Sequence, residues 1–340
     1  MPEEELILAT GLGLSRNHAA KPFPHAAEDA ILTDLLRGVT ETLAKSSAEG
    51  EWLVTPLDAL SLTMRAYLVE RGLMTAGFAR GGGAGRALAT YRSGEASLEI
   101  NGVDHLHLLG SRKGDHLAEL WVLLDSLDDR LELAVPFAFD EHRGYLTAHP
   151  LEAGTGLHAY VTLQVPALMV SGRMAGVAVQ LLAQGMVVAP LWEGAGGVFQ
   201  VVNKGAMGLN EAETTEAVAS VALQVAEKEH SVRKLMLREN ETRVRDYVGR
   251  AVGTAKEAWS VNLQEGLSLI SAIQVGVDLG MVEAPGLTAR SAFELMRRAQ
   301  PGHLAVEEIR LAFGSLEDPG IDEARALLLR RAFGEAWTKR

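Results

Sequence analysis

Two glycine-rich runs are the first places in this sequence where residue type and spacing bear on chemistry. Arg80-Gly81-Gly82-Gly83-Ala84-Gly85-Arg86 has the glycine content of a phosphate cradle. It lacks the Gly-Lys-Ser/Thr ending, and the strand-turn-helix setting that aims backbone N–H groups at an anion, so it reads as a flexible connector. Gly154-Thr155-Gly156, between Tyr145-Leu146 and Tyr160-Val161, is the second candidate, because glycine lets a backbone approach a ligand closely. There is no cysteine, which excludes a disulfide framework, a thiolate metal site and a cysteine nucleophile. With 32 basic against 44 acidic side chains the formal charge is -12, which argues against a phosphate-backbone binder. Nucleic acid is therefore not an expected partner.

Any such groups must be positioned by a chain of 340 residues, long enough for two domains. At 47% apolar and 22% charged it reads as globular rather than disordered or membrane-spanning. The longest apolar stretch, 174–189, is broken by Gln180, Gln184 and Gly185 and falls short of the roughly 18 uninterrupted residues of a membrane span. The acidic start Met1-Pro2-Glu3-Glu4-Glu5 does not resemble a secretory signal, so a soluble, cytoplasmic protein without a membrane partner is expected.

Helical spacing over 27–73 (Ile31, Leu35, Leu36, Val39, Leu43, then Leu57, Leu60, Leu62, Tyr67), punctuated by Gly50 and Pro56, predicts an early helical segment. Short strand-like runs follow between 87 and 209, at 96–100, 105–108, 131–135, 160–165 and 198–202, with helical stretches near 117–127 and 170–184. Their succession favours an antiparallel sheet with helices packed on it. After Gly208 the pattern is helical. Asn210 and Glu213 form a capping box for a helix to about Arg238, and Asn262 with Glu265 caps one through Leu279 that Gly280 stops. Thr288 opens another that Gln300-Pro301 ends, and Pro319 introduces a last one over 322–333. The expected fold is α+β: an antiparallel sheet flanked by helices over 1–242 (helical to about 78, sheet part 87–242), then an all-helical C-terminal domain over 243–340.

The segment from Gly144 to Ala159, with His149-Pro150 and Gly154-Thr155-Gly156-Leu157-His158, resembles the signature of the ATP:guanido phosphotransferases, normally Cys-Pro-Thr-Asn followed by Gly-Thr-Gly and arginine. Further segments are similar, in order, to the bacterial protein arginine kinase (McsB) branch. They are Asn17 with Pro22-Phe23-Pro24, Leu68-Val69-Glu70-Arg71-Gly72-Leu73-Met74, and Asn101 to Leu108. Phe199-Gln200-Val201-Val202-Asn203, Asp278-Leu279-Gly280 and Gln300-Pro301-Gly302-His303-Leu304 complete the set. The resemblance implies a guanido kinase-like catalytic domain and a helical domain that dimerises and senses phosphoarginine.

Phosphoryl transfer to a guanidinium depends on neutralising triphosphate charge and on a carboxylate to hold and deprotonate the acceptor. The resemblance implies five arginines for the first task, and they fall on Gly11, Gly13, His107, His158 and Ala189. The two adjacent glutamates of the acceptor site fall on Gly102 and Val103, and the flanking cysteine on His149. Glu193, after Trp192, is the one position that stands for the second carboxylate. Loss of one charge-stabilising arginine is worth about 10³ to 10⁵ in rate, so the expectation is a pseudokinase that uses neither ATP nor magnesium and works by binding. The candidate partners are an active arginine kinase, phosphoarginine-marked proteins or the Clp unfoldase that the family serves. Two alternatives stay open: a working kinase with substituted residues, in which case ATP and magnesium return, and a dimer whose cleft takes another small molecule.

His107, His149 and His158, with Asp104 and His105 nearby in sequence, read either as a rebuilt site for an anion or a transition metal, or as polar drift satisfied by solvent. In the C-terminal part, Ile321-Asp322-Glu323-Ala324-Arg325-Ala326 is similar to the family's Arg-Asp-x-x-Arg-Ala phosphoarginine motif, with its first arginine replaced by Ile321. Asp322 and Arg325 share a helical face. They read either as contacts to the guanidinium and the phosphate of one ligand, or as an intrahelical ion pair on a solvated helix.

Overall fold

Strand β1 (Ile7–Arg16) is buried at all ten positions, and the rest of the sheet is arranged around it. The computed structural model describes residues 3–46, 50–133, 135–308 and 320–338. Helix α1 (Asp29–Ser46) is followed by strand β2 (Trp52–Pro56), α2 (Leu62–Glu70) and the single turn α3 (Ala76–Ala79). Strands β3 (Ala87–Tyr91), β4 (Ala96–Ile100) and β5 (Leu106–Lys113) lead into α4 (Leu117–Glu132). A two-residue ribbon, β6 (Phe139–Asp140) with β7 (Gly144–Tyr145), precedes β8 (Leu157–Gln164), α5 (Pro166–Val170), α6 (Met174–Ala183), β9 (Met186–Pro190) and β10 (Val198–Asn203). Then come α7 (Glu211–Glu257), α8 (Leu263–Asp278), α9 (Ala289–Arg298), α10 (Pro301–His303) and α11 (Ile321–Phe333).

The eight-stranded sheet has the order β2-β3-β4-β5-β1-β8-β10-β9. The fold is thus α+β with a large antiparallel sheet, as expected from the succession of strand-like runs. Contacts divide the chain into two units, one of Ala9–Tyr160 with Val202–Ala219, the other of Met1–Leu8, Val161–Val201 and Ser220–Arg340.

In the first unit, register decides which side chains face the core. Leu12 and Leu14 of β1 lie opposite Gly110 and Leu108 of β5, and Leu98 and Ile100 of β4 lie opposite Leu108 and Leu106. Opposed residues share a face, so these leucines and the isoleucine make one apolar layer, covered by Leu120, Leu124 and Leu127 of α4, all buried. At Gly110 a Cβ would meet the side chains of Leu124 and Leu120 at 2.6 and 2.7 Å, so glycine there lets the helix sit directly on the sheet. The opposite face of the same strands carries Gly11, Gly13, Ser15, Glu99 and His107, and it becomes the candidate site.

Arg16 closes the end of β1. Its Nε and Nη2 donate to Asp128 Oδ2 at 2.9 and 2.6 Å, and Nη1 donates to the Ser15 and Thr155 carbonyls. The guanidinium lies 3.6 Å from the centre of the Tyr145 ring, so a buried cation is met on its edge and on its face.

In the second unit a buried ion cluster joins three helices. Glu229 of α7 accepts from the Ala167 and Leu168 amides at the start of α5, at 3.0 and 2.9 Å, and from Arg233 Nε at 2.6 Å. Arg233 also pairs with Asp278 of α8, to which Gln274 Nε2 donates at 2.8 Å.

The capping residues behave as the sequence predicts. Asn210 and Glu213 exchange both bonds of a capping box, Asn262 accepts from the Glu265 amide, and Thr288 caps α9. Helix α7 runs past Arg238 to Glu257 with a break at Asn240, whose Oδ1 accepts from the Arg243 amide and restarts the helix. Three expectations are corrected. The early helical segment contains a strand, because Trp52 to Pro56 pair in register with Tyr91 to Ala87. The described residues of the run 131–135 form no strand: Leu131 is the last buried position of the Leu117, Leu120, Leu124, Leu127 series of α4, which ends at Glu132 with Leu133 as its C-cap. Strand β1, whose sequence Ile-Leu-Ala-Thr-Gly-Leu-Gly-Leu-Ser-Arg is glycine-interrupted, was not among the expected strands. Pro319 lies outside the described residues. No helix among the described residues is long and apolar enough to cross a membrane.

Breaking the Arg16 pair tests the first unit. Asp128→Ala leaves a buried guanidinium unpaired and is expected to cost about 3–5 kcal/mol, read as a lower midpoint in urea or thermal unfolding; a loss below about 1 kcal/mol would show the pair to be dispensable.

Candidate functional site

The second face of β1 is a row of small residues with larger polar ones leaning over it. Ser15 of β1, His107 of β5 and Glu99 of β4 are opposed in register and so share that face. A Cβ on Gly13 would lie 2.7 Å from His107 Nε2, and one on Gly11 would lie 2.1 Å from the Tyr160 ring of β8. His158 and Tyr160 stand two residues apart on β8, with ring centroids 6.4 Å apart. The structure therefore brings together Gly11, Gly13, His107 and His158, four positions that the sequence singled out on three separate strands.

Glu99 and Tyr160 belong to this face and were missed in the sequence. The available signal was a glutamate inside the apolar run Ala-Ser-Leu-Glu-Ile, which the alternation of β4 puts on the face opposite Leu98 and Ile100. Glu99 is 2% exposed. Its Oε1 accepts from the Thr75 amide at 2.5 Å and its Oε2 from the Thr75 hydroxyl at 3.1 Å, while Thr75 caps α3. Burial pushes the Glu99 carboxyl up to about 7, against the opposing pull of those two bonds. His107 Nδ1 stands 3.7 Å from Glu99 Oε2. Desolvation holds the His107 imidazole down at about 4, helped by the neighbouring His158. His158 is lowered as well, by desolvation, although its side chain touches solvent. At neutral pH both imidazoles are neutral, and the one titrating group on the row between them and β4 is an acid.

The loop after β4 is fixed by polar bonds. Asn101 has a left-handed backbone (φ 59) and its Nδ2 donates to the Leu32 and Gly85 carbonyls. Asp104 Oδ1 accepts from Asn17 Nδ2 at 2.5 Å and from the Ala148 amide at 2.7 Å, and Asn17 Oδ1 accepts from the His105 amide. His105, fully buried, accepts at Nδ1 from the His18 amide, and burial drops its pKa to about 4. Asp104 and His105 are thus engaged in holding the loop. Gly102 sits with Phe78 3.1 Å from where a Cβ would be, and Val103 is exposed. Neither position supplies a carboxylate.

His149 caps a short turn, Pro150–Glu152, and its carbonyl accepts from the Thr147 hydroxyl. Burial and the Asp104 charge raise the pKa of Glu152, and His149 opposes the shift. The glycines of 154–156 are required by the protein's own packing: a Cβ on Gly154 (φ 118) would lie 2.4 Å from the Ala206 carbonyl oxygen, and one on Gly156 (φ 66) 2.6 Å from that of Ser15. The run 80–86 joins α3 to β3, a helix-to-strand connector as the sequence implies. Among the described residues no three His, Cys, Asp or Glu side chains group to hold a metal, so His107, His149 and His158 do not form one ligand set.

Ala189 and Glu193 belong to the other unit. Ala189 is exposed on β9, and the Glu193 carbonyl lies 3.5 Å from Gln264 Nε2, beside Trp192, whose ring is 5.8 Å from that of Phe293. In the same unit Arg325 is 1% exposed. Nε donates to the Ala299 carbonyl, and Nη1 to the Val261 carbonyl, both at 2.8 Å, and to Asp322 Oδ1 at 2.5 Å. The solvated-helix reading is corrected here. The pair is intrahelical, yet its arginine is buried because it ties α11 to the end of α9 and the start of α8.

Two family profiles match this chain: that of the ATP:guanido phosphotransferase C-terminal catalytic domain over residues 34–232, and that of the protein-arginine kinase McsB C-terminal domain over 241–340. Protein-arginine kinases of Moorella thermoacetica (33% identical, over 89% of this chain and 88% of that one) and Brevibacillus brevis (29%, over 97% and 92%) are among its relatives. The chain belongs to the protein-arginine kinase family. Of solved structures, a duplicated taurocyamine kinase from Schistosoma mansoni matches with a TM-score of 0.59 at 21% identity, over 77% of this chain and 38% of that one. Lombricine kinase matches at 0.60 and 16%, over 68% of each chain. These likenesses show that this protein-arginine kinase relative has the guanido kinase fold.

The raised Glu99 carboxyl has a sign that can be checked. Its ordinary value is 4.5 and its folded value about 7, so the folded state holds the proton more tightly, and this group's contribution to stability is lost as pH rises from 4.5 through 7. Glu99→Gln removes that loss. The variant's thermal midpoint is expected to gain on wild type as pH rises across this window; a difference that is flat or reversed with pH would show that Glu99 is not held protonated.

Proposed function

We propose that this chain is a catalytically silent member of the protein-arginine kinase family, a pseudokinase that acts by binding. The observation that carries the reading is the row Gly11, Gly13, His107 and Glu99. Where the family resemblance implies guanidinium groups, this face carries no side chain at two positions, a neutral imidazole at the third and a buried carboxyl beside it. A triphosphate needs fixed positive charge there, because phosphoryl transfer is stabilised almost entirely by positioning and electrostatics. At Gly102 and Val103 no carboxylate is available to hold or deprotonate an acceptor guanidinium.

In this reading neither ATP nor magnesium is a cofactor, and the scaffold acts as a cytoplasmic adaptor in phosphoarginine and Clp quality control, a homodimer through its helical C-terminal domain. The partner that fits best is an active kinase subunit or the Clp unfoldase. Phosphoarginine-marked proteins fit less well, because Arg325 already spends Nε and Nη1 on backbone carbonyls and Asp322, and Ile321 supplies no second cation.

Incubation with magnesium-ATP and an arginine-rich protein, read by phosphoarginine mass spectrometry, is expected to give turnover at least about 10³-fold below that of an intact protein-arginine kinase. Magnesium-ATP is also expected to leave the thermal midpoint unmoved, where saturation at 100 times Kd would contribute about 2.7 kcal/mol. Product at a comparable rate, or a clear midpoint rise, overturns the proposal. In isothermal titration with free phosphoarginine, Arg325→Ala is expected to behave as wild type, and the substitution is expected to lower the midpoint; phosphoarginine binding that is lost with Arg325 would restore the reader role.

A further inference from the structure

Resting on the proposed silence of this face, a second reason for it lies in what fills the room at positions 11 and 13. A Cβ placed on Gly11 would lie 2.1, 2.2 and 2.5 Å from Cζ, Oη and Cε1 of Tyr160, and one on Gly13 would lie 2.7 Å from His107 Nε2 and 3.4 Å from Leu109 Cδ2. Real Cβ atoms essentially never approach other atoms within 3.0 Å, so the Tyr160 and His107 distances are clashes and the Leu109 distance is an ordinary contact. We propose that Tyr160 and His107 are closing residues: their rings occupy the space into which side chains at positions 11 and 13 would project, so this face excludes nucleotide phosphates sterically as well as by charge.

Several contacts keep the rings in place. Tyr160 is half-buried and leans on His158, with centroids 6.4 Å apart. His107 stands 3.7 Å from Glu99, which is itself pinned by Thr75. Residues 11 and 13 therefore differ from glycines that permit a turn. Both lie in a regular strand with no left-handed backbone, and it is the neighbouring rings that demand the missing side chains. Glycine on β1 and the rings on β8 and β5 are one paired device. An arginine put back at position 11 or 13 must first displace a ring and its contacts. Specificity is thus set by obstruction and not by loss of cations alone.

A double-mutant cycle on thermal midpoints tests this with the full chain. Gly11→Ala is expected to lower the midpoint by about 3 °C, the size of a modest overpacking penalty in a chain this long. In a Tyr160→Ala background the same substitution is expected to lose most of that penalty. If Gly11→Ala does not fold, recovery of folding by Tyr160→Ala reads the same contact, and the Gly13→Ala with His107→Ala cycle supplies an independent pair. Equal penalties with and without the ring, in both cycles, overturn the inference. Turnover by the wild-type chain would overturn the proposed function while leaving these cycles untouched, and additive cycles would remove the closing role while leaving the missing cations as they are.

Discussion

Strand β1 is buried on both of its faces. On one face Leu12 and Leu14 belong to the apolar layer under α4, and on the other Gly11 and Gly13 lie against rings from the flanking strands. A central strand buried at every position transmits a change at one residue to both neighbours. The composition of the site face therefore follows from this crowding: the partner strands provide the bulk, β1 provides the room, and Arg16 at its end is locked to Asp128 and Tyr145.

The electrostatics follow the packing. A row of neutral imidazoles beside a buried acid is a poor seat for a triphosphate, since His107 is uncharged at neutral pH and Glu99 becomes an anion above about pH 7. The surrounding frame is well ordered by hydrogen bonds all the same. Asn17, Asp104 and Asn101 hold the loop carrying Gly102 and Val103, and the glycines at 154 and 156 seat their segment against Ala206 and Ser15.

Buried ions organise the other unit. Glu229, Arg233 and Asp278 connect α5, α7 and α8, and Arg325 connects α11 to the end of α9 and the start of α8. Such clusters contribute modestly to net stability but penalise the removal of one member. Asp278, part of the Asp-Leu-Gly segment, and Arg325, part of the phosphoarginine-type motif, are both engaged structurally, so a motif match at these positions does not by itself identify a ligand contact.

Much was legible in the sequence because the signals were local. Caps at Asn210, Asn262 and Thr288 depend on bonds three residues away, and the absence of cysteine needs no coordinates. Local pattern misled where period was ambiguous, as at 131–135, or where pairing with a distant strand decided the state, as at Trp52 to Pro56. Tertiary structure alone decided that Glu99 lies beside His107, that Tyr160 covers Gly11, and that Arg325 is buried. Each depends on register between strands or on helices far apart in the chain, and the environment that shifts a carboxyl or covers a glycine exists only once those distant segments have packed.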